Sequence, residues 1–205
     1  MKNFVSRYCI IRNSKINLNG NTVFEQNNEL NLFLTSAYRK FSINYPKFFK
    51  MDLLCKLAFI SSEILIKNFT NHYSGNETAL VLSNHASSLD TDRNYLKTIE
   101  DKQNYFPSPS VFVYTLPNIM VGEISIRNKI TGENVFFVSE KFNPELVCNY
   151  ANMLLADENT KCVLAGWMDV DKEKHDGFIY MIEKINPNPV CEHDAEQVSA
   201  LYYKG

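Results

Sequence analysis

VFFVSEKFNPELV, Val135–Val147, contains a strand, a polar turn and the start of a helix. VFFV is a short run of β-branched and aromatic residues, the composition that fits a pleated, half-buried surface. After the polar SEK, Asn143 is placed to cap a helix, Pro144 suits its first position, and Glu145 puts an acid in the first turn. The helix should run to about Ala156, with Leu146, Val147, Tyr150, Ala151, Leu154 and Leu155 on its apolar side.

The same alternation extends outward from this unit. TALVLS, Thr78–Ser83, is nearly continuously apolar between polar loops, as expected of a strand covered on both faces in a parallel sheet. Further strands are expected at Ser110–Tyr114, Lys161–Trp167 and Phe178–Glu183. Between them IMVGEISIRN predicts a helix, with Asn118 as its N-cap and Gly132 a few residues past its end. Upstream, Leu54, Leu57, Ala58, Ser61, Ile64 and Leu65 recur at helical spacing and predict a helix over 47–67. Over 4–24 a β-hairpin is expected, with Asn19-Gly20-Asn21 turning between INL and TVF. Alternating strands and helices make this an α/β protein with a mixed sheet flanked by helices. One domain over 1–185 and a tail over 186–205 are expected. The tail starts at Pro187 and Pro189 and has one short helix sharing Ala195, Val198, Leu201 and Tyr202 on a face.

The bulk numbers narrow the function. A chain of 205 residues suits a single domain. With 45% hydrophobic residues, 21% charged residues and a net charge of -2, it has no basic stripe to engage nucleic acid. The basic-aromatic stretch YPKFFKM, Tyr45–Met51, reads as a solvated helix start. MKNFVSRYCIIRNS has no secretory apolar run, no segment reaches membrane-span length, and five scattered cysteines read as reduced core residues; a cytoplasmic location is expected. The triplets at Asn68 and Asn76 carry no weight without a signal sequence. There is no phosphate loop, dinucleotide fingerprint or G-x-S-x-G elbow, and Cys191-Glu192-His193-Asp194 lacks a second ligand pair, so neither cofactor nor metal is expected.

Four segments carry a family resemblance: KMDLLCKLAFISSEILI (50–66), VLSNHASSLDTDRNY (81–95), SPSVFVYTLPNIMVGEISIRNKITGEN (108–134) and KCVLAGWMDV (161–170). In this order they resemble the N-terminal half of a β-ketoacyl-[acyl-carrier-protein] synthase. The resemblance implies a thiolase-like fold of which the chain holds a single half, a βαβαβαββ unit. It places the reactive cysteine at the turn after VFFV. Here Lys141 or Phe142 occupies that turn, so the elbow is degenerate and no catalytic residue is expected there. Cys148, further along the helix, is a remote candidate for a displaced nucleophile. The second-half His pair has no counterpart, and of the four histidines only His85 is near the presumed site. Phe136, Phe137, Phe142, Ser87, Ser88 and His85 are the residues expected to meet a substrate or partner.

By resemblance, the function is that of a non-catalytic partner of an active 3-oxoacyl-[acyl-carrier-protein] synthase, or a binder of an acyl chain or acyl carrier protein, in a bacterial fatty-acid or aryl-polyene-type pathway. The alternatives are an acyltransferase or synthase completed by a partner subunit, and an α/β interaction domain without an acyl ligand. A homodimer or a heterodimer with a ketosynthase is implied, paired through Val135–Val138 and the helix face of Leu146–Leu155.

Overall fold

The computed structural model describes residues 2–67, 73–184 and 186–204. The triplet at Asn68 and His72 lie outside them. The strands are β1 (Phe4–Arg12), β2 (Lys15–Leu18), β3 (Asn21–Glu25), β4 (Thr78–Asn84), β5 (Asn134–Val138), β6 (Cys162–Asp171), β7 (Lys174–Glu183) and β8 (Cys191–Glu192). The helices are α1 (Leu30–Lys40), α2 (Leu53–Ile66), α3 (Leu89–Leu96), α4 (Pro109–Phe112), α5 (Ile119–Asn128), α6 (Pro144–Ala156) and α7 (Ala195–Tyr203).

All the strands belong to one mixed sheet in the order β3-β2-β1-β7-β6-β4-β5, with β8 beside β1. β4 runs parallel to both β5 and β6, while β6, β7, β1, β2 and β3 are successively antiparallel. Buried side chains separate onto the two faces of the sheet. One core joins Leu80, Leu82, Leu164 and Ile179 to α1, α2 and α5; the other joins Val81, Ala165, Phe178 and Tyr180 to α6 and α7. The result is a sheet between two helix layers, the mixed α/β architecture expected from the sequence.

Local chemistry explains most boundaries. The Asp52 side chain accepts from Cys55 N–H at 2.8 Å and caps α2, and Thr91 Oγ1 donates to the other oxygen at 2.6 Å, tying α3 to the same cap. Asp52 also divides the helix expected over 47–67: Pro46–Lys50 form a 3₁₀ turn, Met51 is extended, and α2 begins at Leu53. Gly166 is required where β6 meets β7, because a Cβ there would lie 2.0 Å from the Phe178 carbonyl oxygen.

Several expectations need correction. Ser110–Tyr114 is not a strand; Pro109 takes the first position of the short helix α4, and the chain continues as a 3₁₀ turn over Val113–Thr115. Val111 and Val113 suggested a strand, but among the described residues neither belongs to the sheet. The hairpin INL–TVF is β2–β3, yet the nine-residue β1 before it pairs on both sides and belongs to the centre of the sheet. Asn118 stands at the N-cap of α5 but makes no side-chain cap hydrogen bond; the helix closes on Lys129 in the left-handed region (φ 56°), with Gly132 a few residues past its end as expected.

Candidate functional site

The parallel strands β5, β4 and β6 all end on the same side, and the loops that leave them meet there. Ser139 N–H donates to Asn84 O at 2.8 Å, which joins the loop after β5 to the end of β4. Asp169, on β6, accepts from the backbone N–H groups of His85 and Ala86 at 3.0 and 2.8 Å. The crevice at the carboxyl ends of parallel strands is the usual ligand position in open α/β sheets.

Within the 84–88 loop, the Asn84 side chain bridges Ser87 by accepting from its N–H and donating to its carbonyl, both at 2.9 Å. Ser87 sits at φ 53°. Ser88 is buried and donates to Thr115 O at 2.7 Å, so its hydroxyl is committed to the fold. The His85 ring is exposed.

At the turn after β5, Asn143 accepts from Leu146 N–H at 3.0 Å and caps α6. Lys141 is exposed, whereas Phe142 is 5% exposed and turns inward. Its ring centroid lies 6.1 Å from Trp167, 5.6 Å from Phe178 and 4.6 Å from Tyr202. The loop Ser139–Glu145 lines an open hollow of about 360 Å³, with Phe142 as one wall. Phe136 and Phe137 do not share a site: successive residues of β5 face opposite ways, Phe136 packing in the α2 core and Phe137 against Tyr150 at 5.4 Å on the other side.

Cys148 lies inside the α6 layer and is 2% exposed. Burial pushes its thiol up to about 12, against the opposing pull of the Tyr180 hydroxyl 3.8 Å away. The same hydroxyl lies 3.4 Å from Nε2 of His193, whose Nδ1 is 2.9 Å from Asn152 Oδ1. Because that oxygen only accepts, Nδ1 carries the proton and Nε2 accepts from Tyr180. Burial draws the His193 imidazole down to about 4. These groups form a neutral polar line buried beneath α6 and α7, not an ionised catalytic pair.

Sequence reading missed Tyr202, Asp176 and Arg12. Tyr202 Oη donates to Asp176 Oδ2 at 2.5 Å, Arg12 Nε lies 2.5 Å from Asp176 Oδ1, and the Arg12 guanidinium sits 4.2 Å over the Tyr202 ring. The one available signal was Tyr202 on the apolar side of the tail helix; nothing in spacing links positions 12, 176 and 202. Among the described residues no group of side chains could hold a metal ion, and no helix is long and apolar enough to cross a membrane.

Neither a family of known sequences nor a curated protein matches the chain. Solved structures do. The ishigamide ketosynthase/chain length factor superposes with a TM-score of 0.65 at 14% identity, over 92% of this chain and 63% of that one. The fold is thiolase-like. The ketosynthase ApeO in complex with its chain length factor ApeC, from Xenorhabdus doucetiae, matches with a TM-score of 0.59 at 10% identity, over 98% of this chain and 92% of that one. AntDE:AntF, a type II polyketide acyl-carrier protein in complex with its ketosynthase bound to the hexaketide, gives 0.67 at 11% identity, over 89% and 62%. The chain thus spans 63% and 62% of the length of the first and third of these structures.

Proposed function

We propose that this chain is a non-catalytic, ketosynthase-like protein that works as the partner of an active 3-oxoacyl-[acyl-carrier-protein] synthase, in the manner of a chain length factor. The chain it helps to build is fatty-acid-like or of the aryl-polyene type, carried on an acyl carrier protein. The observation that carries the reading is Phe142. On the thiolase-like pattern the strand-to-helix turn after β5 presents a thiolate to the N-terminus of α6, where the peptide dipoles stabilise it. Phe142 instead points an un-ionisable ring into the core at this turn. Cys148, buried and with its thiol raised to about 12, is a poor substitute.

The partner surface in this reading is the free edge of β5. Among the described residues β5 pairs only with β4, so its outer N–H and C=O groups face away from the sheet. Val138 at the end of β5 is more than half exposed, as are Ile126 on α5 and Met153 on α6. Two of the three similar structures carry chain length factor in their descriptions, and one is a ketosynthase in complex with its chain length factor. Co-expression with an active ketosynthase from the same genome tests the reading. A stable complex containing both chains supports it; separate elution of the two at micromolar concentration contradicts it.

A further inference from the structure

The C-terminal helix is tied to the body at its two ends, and between them it packs through Val198 and Leu201. At its start, Val190 N–H donates to Val5 O at 2.8 Å and His193 N–H to Asn3 O at 2.9 Å, fixing the approach to α7 along β1. Along the helix only Val198 and Leu201 are buried. At the far end, among the described residues, Tyr202 carries the ring contacts and hydrogen bonds to the body beside the buried Leu201. Its ring covers Phe142 and Phe178, its hydroxyl donates to Asp176, and its carbonyl accepts from Arg12 at 2.6 Å. Arg12 closes the ring of contacts by pairing with Asp176. Side-chain exposures of 17% and 27% put that ion pair at the rim, within reach of water. Phe142 has two neighbours of different kinds: it is a wall of the hollow at 139–145, and it lies beneath Tyr202.

We propose that α7 is a lid over the elbow, latched at Tyr202, and that lifting it joins the hollow at 139–145 to the aromatic floor of Phe142, Trp167 and Phe178 to form a site for one unbranched acyl chain. The ligand class rests on the function proposed above; the lid does not. Among the described residues, the polar attachments of the moving end are those of Tyr202, beside the buried Leu201. The floor beneath it carries no charge and presents flat apolar rings, which suits a methylene chain.

Cys148 reports the opening, because it shares a buried cluster with Val198 and Leu201 of α7. In the full chain, Tyr202→Ala is compared with Tyr203→Ala, whose ring is 73% exposed. The readouts are the iodoacetamide labelling rate at Cys148, by peptide mass, and the affinity for 11-(dansylamino)undecanoic acid. Tyr202→Ala is expected to speed labelling about tenfold and tighten binding about fivefold, with helical circular dichroism unchanged; Tyr203→Ala is expected to change neither. Should Tyr202→Ala not fold, Tyr202→Phe keeps the ring, loses the bond to Asp176, and is expected to speed labelling about threefold. Labelling as slow in the folded variant as in the unaltered chain overturns the lid. Faster labelling without tighter binding leaves the lid standing and overturns the acyl-chain site.

Discussion

The rings of Phe142 and Tyr202 lie with centroids 4.6 Å apart at a tilt of 42°, so the turn after β5 is closed from outside by the C-terminal helix. Phe142 is therefore a core residue on a loop. Phe142→Ala should cost about 3–5 kcal/mol, the range for truncating a buried aromatic ring. Urea unfolding followed by circular dichroism measures it. A cost below about 1 kcal/mol would mean that the ring is not held between Tyr202 and Phe178.

A thiol introduced at the same place tests the turn chemically. Phe142→Cys would stand just before the Asn143 cap, facing the hollow and the N-terminus of α6. It should react with iodoacetamide faster than Cys148, whose thiol burial pushes up to about 12. Equal rates would remove the elbow from this turn.

Acid should weaken the fold through His193. Its imidazole is held down to about 4 against an ordinary value of 6.5, chiefly by burial. Between those values the unfolded chain binds more protons than the folded one. The contribution is intact above about pH 6.5, falls as pH drops, and is fully lost below about pH 4. Its size is at most about 3 kcal/mol. His175 is lowered in the same direction by burial, so the comparison must be between the unaltered chain and His193→Gln. The variant should show a flatter stability profile over this window; an identical slope would contradict the assignment.

Much of this was legible in the sequence because it is local. The Asn143-Pro144-Glu145 start of α6 and the apolar runs of β4 and β6 depend on neighbours a few residues away. β1 was missed because its partner β7 lies more than 160 residues later, and Phe4–Arg12 mixes Ser6, Arg7 and Tyr8 into an otherwise apolar run. The Arg12–Asp176–Tyr202 cluster was invisible for the same reason. Val111 and Val113 carried strand propensity into a helical turn that Pro109 initiates.

The free edge of β5 predicts association. Val138 is 58% exposed at the end of that strand, so Val138→Lys should change stability by no more than about 0.5 kcal/mol. It should nevertheless abolish self-association or ketosynthase binding, since charge on an edge strand blocks strand pairing. Ala200→Lys, on the exposed side of α7, is the control and should leave association intact. Light scattering at micromolar concentration reads both. Loss of association in the α7 variant, with the β5 variant unaffected, would move the interface to the other side of the molecule.

The proposal that the chain performs no condensing chemistry is tested most directly by carbon dioxide release from malonyl-acyl carrier protein with the purified full chain. No thiol stands at the elbow to start that reaction, and burial raises the thiol of Cys148 nearby to about 12. Release should not exceed that of the buffer, and Cys148→Ala should make no difference. Release well above buffer, lost on Cys148→Ala, would contradict the account and make the chain an enzyme.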